Sequence, residues 1–123
     1  MASRGRILVL EDDVLLSMDV EAILENNGFD VRVAGSLADA LRLVKEGEAD
    51  GAVIDVNLKG TLSFPAADAL SDANIPFLVL TGHSRDLLPP RHRSRPFLQK
   101  PYKVDHLLQA VTGMMAPVHA TQP

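Results

Sequence analysis

ILVLEDD, at residues 7–13, is the stretch that decides the fold class. Four consecutive apolar residues followed at once by three acids are typical of a strand buried on both faces. The spacing changes directly afterwards, because apolar residues then recur at the helical period, at Leu16, Val20, Ile23 and Leu24. A buried strand followed by an amphipathic helix begins a β-α-β unit, which predicts a parallel sheet.

The same alternation continues along the chain and predicts an α/β fold. Predicted strands cover residues 7–10, 31–34, 52–54, 77–80 and 97–99, and predicted helices lie near 16–24, 37–44, 64–70 and 104–115. Five such units form a doubly wound domain with a five-stranded parallel sheet. The fourth helix is expected to be short, distorted or disordered, because residues 82–95 contain a glycine, two prolines and four arginines. We expect one domain over residues 1–116 and a flexible tail over 117–123.

Composition excludes several classes of protein. The 123 residues suit one domain, and a net charge of -4 argues against a general nucleic-acid partner. The absence of cysteine excludes a disulfide framework and thiolate metal sites. The longest unbroken apolar runs have four residues, which predicts that no segment crosses a membrane. A cytoplasmic protein without a membrane partner is the resulting expectation.

Chemically active side chains follow the predicted strands. Glu11 and Asp12 follow the first strand, and Asp55, Thr81 and Lys100 follow the third, fourth and fifth. Ligands of doubly wound sheets bind at this carboxyl edge, so we expect these side chains to converge if their strands are neighbours. Carboxylates about 4 Å apart repel by roughly 4 kcal/mol at an effective dielectric of 20, and a hard cation such as Mg²⁺ would offset that repulsion.

This set of groups suits phosphoryl transfer. Asp55 would be the nucleophile, while the metal and Lys100 would neutralise the oxygens of the transferred group and Thr81 would donate a hydrogen bond to one of them. The alternative is that the acids are merely solvated strand-end residues, or charges that are favourable at a helix N-terminus.

The chain resembles the receiver domain of two-component response regulators over roughly residues 5–116. The matching pieces are ILVLEDD at 7–13, VIDVN at 53–57, LT at 80–81 and FLQKP at 97–101. The resemblance implies a flavodoxin-like (βα)5 receiver fold with strand order 2-1-3-4-5.

The resemblance also implies roles for the site residues. Asp55 would accept a phosphoryl group from the phosphohistidine of a histidine kinase, with Thr81 and Lys100 assisting. Mg²⁺, or Mn²⁺ in its place, would be held by Glu11, Asp12, Asp55 and the backbone carbonyl of Asn57.

The expected switch residues are Thr81, Gly82, Phe97 and Pro101. Phe97 stands where many relatives have a tyrosine, and its ring has no hydroxyl to donate. A simple core position is therefore the alternative for Phe97. The resemblance further implies a cis Lys100–Pro101 bond.

A narrower resemblance concerns the partners. DVNLKG at 55–60, together with Pro76-Phe77 and Thr81-Gly82, is similar to stand-alone alphaproteobacterial receivers that work with HWE/HisKA2 histidine kinases. It implies a single-domain response regulator that is not an enzyme. Such a protein would act on a downstream protein target or a phosphotransfer protein, or serve as a phosphate sink.

Two other functions fit parts of the pattern. A haloacid-dehalogenase type phosphatase also uses a strand-end aspartate, but it usually has a second aspartate where this chain has Asn57. A flavodoxin-like cofactor binder would need a phosphate loop after the first strand, where Glu11, Asp12 and Asp13 would repel a phosphate.

The remaining polar residues are expected at the surface. The four histidines (His83, His92, His106 and His119) show no ligand spacing, although His83 would lie at the rim of the site. The arginine run (Arg85, Arg91, Arg93 and Arg95) is interpreted as a solvated loop, with a dock for an acidic partner as the alternative. Met114 and Met115 are predicted to continue the buried stripe of the last helix.

Overall fold

A computed structural model describes residues 3–82 and 88–120, of which 116–120 are described as helix backbone only. The strands are β1 (Arg6–Leu10), β2 (Asp30–Ala34), β3 (Gly51–Asp55), β4 (Asn57–Leu58), β5 (Thr61–Leu62), β6 (Phe77–Thr81) and β7 (Phe97–Gln99). The α-helices are α1 (Val14–Glu25), α2 (Leu37–Lys45), α3 (Phe64–Asp72) and α4 (Val104–Ala120). The predictions for His83 and Arg85, and for the side chain of His119, fall outside what is described.

Five of the strands form one parallel sheet in the order β2-β1-β3-β6-β7. Counted along the chain, these five have the expected 2-1-3-4-5 order, so the prediction is confirmed. The order reverses between β1 and β3, where Leu10 pairs with Ile54. The residues that follow this pair, Glu11 and Asp55, therefore begin the crevice at the topological switch point.

The sheet separates two apolar clusters. On one face β-strand residues such as Ile54 and Phe77 pack with α2 and α3. On the other, Val9 and Val53 pack with α1 and α4, and this cluster includes Met114 and Met115 as predicted. Because both faces are covered, the strands are apolar along most of their length rather than alternating.

A predicted core residue of α1 lies outside both clusters. Leu16 was expected on the buried stripe of α1 but is 40% exposed. It sits in the first turn of the helix and lines the cavity at the carboxyl edge of the sheet, so no strand covers it. The buried stripe of α1 begins only at Ser17 and Val20.

The segment after β6 has no regular helix in its described part. Residues 88–96 contain a single 3-10 turn, Pro90–His92, and residues 83–87 lie outside the description. The two prolines explain this, since neither Pro89 nor Pro90 has an N–H to donate to a helical hydrogen bond. The sequence predicts a short or distorted helix over residues 82–95, between β6 and β7. The described part of this segment agrees with that prediction.

One surface prediction for this segment is wrong. His92 is 1% exposed, with its ring edge against Phe77, rather than a surface histidine. Arg91 is exposed, as the interpretation of the arginine run implies, and its guanidinium pairs with Asp68 at 3.2 Å and with Asp72 at 2.6 Å. Both carboxylates come from α3, so polar contacts attach the segment to that helix. His106, by contrast, is exposed on α4 as predicted.

The last helix is longer than the sequence suggests. The backbone of α4 continues to Ala120, beyond Pro117, where the flexible tail was expected to begin. A proline removes one helical hydrogen bond but does not always end a helix. The domain boundary at residue 116 stays a prediction. Among the described residues, no helix is both long and apolar enough to cross a membrane.

Candidate functional site

The carboxyl edge of the sheet contains an open cavity of about 380 Å³. Seven residues that the sequence singles out line it, namely Glu11, Asp12, Asp55, Asn57, Thr81, Gly82 and Lys100. Three further lining residues are Asp13, Leu16 and Lys59. The convergence follows from the sheet, because the ends of β1, β3, β6 and β7 meet at one edge.

Three carboxylates form a compact acidic cluster in this cavity. Glu11, Asp12 and Asp55 each offer an oxygen, and these oxygens lie within 4.8 Å of one another. Glu11 is 5% exposed and Asp55 is 8% exposed. Clustered, partly desolvated carboxylate oxygens are the donors that Mg²⁺ prefers, and they require a cation to offset their repulsion. The donor set therefore fits the expected metal.

Lys100 bridges two of these acids. Its Nζ lies 3.0 Å from Asp55 Oδ2 and 3.2 Å from Glu11 Oε1. The backbone N–H of Lys100 donates to Thr81 O at 2.7 Å, which continues the pairing of β6 with β7 to the cavity edge. Burial alone would lower the pKa of the ammonium, but the two carboxylates outweigh burial and raise that pKa. Lys100 is therefore held as a cation between the acids.

Glu11 has a strongly shifted acidity. Burial is the main cause that raises its pKa, and the nearby Asp55 charge raises it further. The backbone N–H of Asp13 and the Lys100 ammonium act in the opposite direction, and the resulting pKa is about 7. The Glu11 carboxyl group is therefore partly protonated near neutral pH. A cation that binds in the cavity would displace this proton, because a metal binds the ionised carboxylate.

Asp13 and Asn57 support the local backbone. Asp13 is the N-cap of α1, where its Oδ1 accepts hydrogen bonds from Leu15 N and Leu16 N. The Oδ1 of Asn57 accepts from Gly60 N at 2.8 Å and so closes the turn after β3. The Asn57 side chain is thus engaged in the turn, and its backbone carbonyl remains the metal ligand that the resemblance implies.

The four expected switch residues do not all lie at the cavity. Thr81, 3% exposed, and Gly82 line the cavity, and no atom of the described residues beyond its chain neighbours lies within 4 Å of the place that a Cβ on Gly82 would take. Phe97 instead packs against the cluster on the α2 and α3 face, which favours its alternative role as a core residue. The Lys100–Pro101 peptide bond is cis, as the resemblance implied.

A group of exposed apolar side chains adjoins the cavity. Val14, Leu15 and Met18 on α1 are 67%, 74% and 56% exposed, and Leu16 beside them lines the cavity. The helical period did not reveal this surface, because a large apolar residue in an amphipathic helix is ordinarily interpreted as core. Clustered exposed apolar residues beside a reactive site are typical of a protein-docking surface.

Solved structures of bacterial signalling proteins resemble this chain. SdrG from Sphingomonas melonis Fr1 is 38% identical with a TM-score of 0.78, covering 94% of this chain and 99% of that one. PhyR from Brucella abortus is 25% identical with a TM-score of 0.81, covering 98% of this chain and 51% of that one.

Among curated proteins, the transcriptional regulatory protein PdtaR of Mycobacterium tuberculosis is 30% identical over 111 residues, covering 86% of this chain and 54% of PdtaR. The chain spans about half the length of the curated relatives it matches. Residues 7–112 match the family model described as the response regulator receiver domain. Since that match covers most of the chain and the sheet has the expected order, the protein belongs to the response regulator receiver domain family.

Proposed function

We propose that the protein is a phosphorylation-dependent switch of two-component signalling, in which Asp55 accepts a phosphoryl group from a histidine kinase. One observation carries the proposal. The Asp55 carboxylate is nearly buried at the switch point of the sheet, 3.0 Å from the Lys100 ammonium and beside Glu11 and Asp12. A nucleophilic carboxylate next to a cation and a metal-binding cluster is suited to phosphoryl transfer.

The transfer itself requires little of the protein beyond positioning. An Asp55 carboxylate oxygen attacks the phosphorus, and the phosphorus–nitrogen bond of the donor phosphohistidine breaks, with the imidazole keeping the electron pair. The Lys100 ammonium and the Thr81 hydroxyl bind the oxygens of the group that arrives on Asp55. Glu11, Asp12, Asp55 and the Asn57 carbonyl would hold Mg²⁺, which supplies charge neutralisation for the transferred group.

The response to phosphorylation begins at Lys100 and Thr81. In this structure Lys100 is shared between Asp55 and Glu11, so a phosphoryl group on Asp55 offers it new oxygens to bind. Thr81 ends β6 and Lys100 follows β7, and the segment over residues 82–96 connects those two strands. A shift of the Thr81 or Lys100 side chain would therefore move one end of this segment. The segment is the element whose movement would alter the surface that a partner protein contacts.

The proposed donor is a histidine kinase of the HWE/HisKA2 type. The resemblance of DVNLKG at 55–60 and of Thr81-Gly82 to receivers served by such kinases supports this type. The exposed apolar side chains of α1 (Val14, Leu15 and Met18) supply a surface on which the donor would dock beside Asp55. The outputs that follow are contacts with a downstream target or a phosphotransfer protein, or a role as a phosphate sink.

Intact-mass measurement tests the phosphoacceptor. With Mg²⁺ and a small phosphodonor, we expect one added phosphoryl group that is absent from Asp55→Asn and present in Asp30→Asn, a variant of an exposed acid on β2. Beryllofluoride is a second probe, because a solved structure of SdrG is described as its BeF3-activated conformation. Amide NMR spectra that do not change with either reagent would contradict the switch.

The kinase is tested by transfer from purified, phosphorylated histidine kinases. We expect a kinase of the HWE/HisKA2 type to transfer faster than kinases of other types. Leu15→Gln should slow transfer from the kinase about tenfold by removing an apolar contact, yet leave the small phosphodonor reaction unchanged, because it adds no charge beside the cavity. Val33→Gln makes the same kind of change at an exposed apolar residue on β2, away from the cavity, and is the control. Equal loss in both variants would contradict docking on α1.

A further inference from the structure

Lys59 occupies the tip of the short hairpin that directly follows Asp55. The strands β4 and β5 pair antiparallel, Asn57 with Leu62 and Leu58 with Thr61, so Lys59 and Gly60 form a two-residue turn. Both residues have positive φ angles, 50° and 91°, which is the conformation of a type I′ hairpin turn. The bond from Gly60 N to Asn57 Oδ1 at 2.8 Å closes the turn.

Lysine is an unusual residue for this turn position. The first central residue of a type I′ turn is ordinarily Asn, Asp or Gly, because the left-handed region strains most residues that carry a Cβ. Lys59 adopts the left-handed conformation although it is not one of the residue types that favour it. Residues held in disfavoured backbone conformations are often found at functional sites, so the Lys59 side chain is the feature to explain.

The position of Lys59 supplies a reason. It lines the same cavity as Asp55 and Lys100. Lys100 is occupied by its two carboxylates, whereas Lys59 is exposed and makes no hydrogen bond or ion pair within the described part of the chain. The cavity thus contains one cation committed to its acids and a second whose ammonium is available to an incoming anion.

The charge of the cavity makes this second cation useful. The cavity is lined by four acids, Glu11, Asp12, Asp13 and Asp55, and any phosphodonor arrives as an anion. Repulsion between like charges slows the encounter, and a cation at the entrance reduces that repulsion. The exposed turn gives the flexible lysine side chain access to solvent, where the donor is first met.

We propose that Lys59 is a specificity-determining residue of the phosphorylation site, which binds the anionic oxygens of the phosphodonor and favours donors of higher negative charge. The inference rests on the proposed function of Asp55. In the reaction with acetyl phosphate, an Asp55 oxygen forms a bond to phosphorus and the phosphorus–oxygen bond to acetate breaks. Acetate leaves with the electron pair, and the Lys59 ammonium keeps its protons throughout.

The test compares two donors of different charge. Acetyl phosphate is a dianion at neutral pH, whereas phosphoramidate is a monoanion. We expect Lys59→Asn to slow phosphorylation by acetyl phosphate about fivefold and by phosphoramidate less than twofold, because the lost attraction scales with donor charge. High salt should slow the wild-type reaction with acetyl phosphate more than that of Lys59→Asn, because screening removes the same attraction.

Three matched variants separate charge from turn geometry. Lys59→Asn relieves the left-handed strain and should fold at least as stably as the wild type, so a slower reaction cannot come from a damaged turn. Lys59→Arg keeps the cation and should retain the wild-type rate with acetyl phosphate. Lys45→Gln removes an exposed cation at the end of α2, away from the cavity, and should have no effect.

The outcomes distinguish this inference from the proposed function. If the wild type is phosphorylated on Asp55 and Lys59→Asn reacts equally fast with both donors, the inference is overturned and the phosphoacceptor stands. Equal slowing of Lys59→Asn and Lys59→Arg would also overturn it, because the charge is then irrelevant. If the wild type takes no phosphoryl group on Asp55 from either donor or from a kinase, the proposed function fails and the inference falls with it.

Discussion

His92 Nε2 lies 2.8 Å from Asp68 Oδ1, and this contact joins the segment after β6 to α3. The imidazole is 1% exposed, and its ring meets the Phe77 ring edge-on with centroids 5.6 Å apart. Arg95 adds a cation over the Phe77 ring at 4.7 Å and a hydrogen bond from its guanidinium to Ser71. The described residues after β6 contain no α-helix before β7. A buried histidine and the arginines beside it instead attach this segment to α3.

Replacing His92 should weaken the whole fold. His92→Ala removes a buried ring and its hydrogen bond, so we expect the free energy of unfolding to fall by about 2–3 kcal/mol in urea denaturation. Asp68→Asn keeps the shape but removes the charge that Arg91 and His92 share, and a smaller loss of about 1 kcal/mol is expected. His106→Ala, at an exposed site on α4, should change stability by less than about 0.5 kcal/mol. Equal effects of His92→Ala and His106→Ala would contradict the buried role of His92.

The convergence of the site could be predicted from the sequence, because it depends only on parallel strands ending at one edge. Lys100 lies 45 positions beyond Asp55 in the chain, yet their side chains are 3.0 Å apart. The five strands of the parallel sheet could be recognised from the sequence, and the polar residues after β1, β6 and β7 and at the end of β3 then had to lie at the carboxyl edge.

The role of His92 could not be predicted in this way. Its burial depends on Asp68 and Phe77, which are distant in sequence, and a histidine between prolines and arginines has no period that signals a core position. Leu16 shows the opposite error, since its helical spacing is correct but the sheet does not extend beneath the first turn of α1. Both cases depend on which elements meet, and local patterns do not specify that.

The raised pKa of Glu11 predicts a pH dependence of stability. In the unfolded chain this carboxyl group has the ordinary pKa near 4.5, and in the fold burial raises it to about 7. Between these values the folded state binds more protons than the unfolded state, so stability falls as pH rises from 4.5 through 7. In metal-free buffer, we expect the wild type to lose about 1–3 kcal/mol more over this range than Glu11→Gln, which has no proton to release.

Denaturation curves at pH 5 and pH 8 in the presence of a chelator measure this difference. Glu48→Gln changes an acid remote from the cavity and should keep the wild-type pH dependence. If Glu11→Gln lost stability with pH as steeply as the wild type, the proton would have to be assigned to another group. Because Mg²⁺ requires the ionised carboxylate, its apparent affinity should also weaken as pH falls below about 7.

Removing the Lys100 ammonium should have opposite effects on metal affinity and on stability. Lys100 competes with Mg²⁺ for Asp55 and Glu11, so Lys100→Met is expected to bind Mg²⁺ about 3–10 times more tightly. Without metal the same variant leaves two poorly solvated carboxylates unpaired, and we expect a loss of about 1–3 kcal/mol of unfolding free energy. Isothermal titration with Mg²⁺ and urea denaturation in a chelator measure the two quantities.

Lys103→Met is the matched control for Lys100→Met. Lys103 is exposed, lies three residues further on and does not line the cavity. Its replacement should leave both the Mg²⁺ affinity and the stability close to the wild-type values. A weaker Mg²⁺ affinity in Lys100→Met would show that the lysine assists the metal site rather than competing for it.

The same substitution at two glycines should change stability in opposite directions. A Cβ on Gly51, in β3, would lie 2.5 Å from Met115 Sδ and 3.3 Å from Ile7 Cδ1, within the core between the sheet and α4. Gly51→Ala should therefore cost about 1–3 kcal/mol through overpacking, because Met115 is only 2% exposed and has little room to move. A Cβ on Gly113, on the exposed side of α4, meets no atom of the described residues within 4 Å, so Gly113→Ala should stabilise by about 0.5–1 kcal/mol through helix propensity. Thermal denaturation of both variants compares the signs directly, and a Gly51→Ala protein as stable as the wild type would mean that the flexible Met115 side chain moves aside instead of being overpacked.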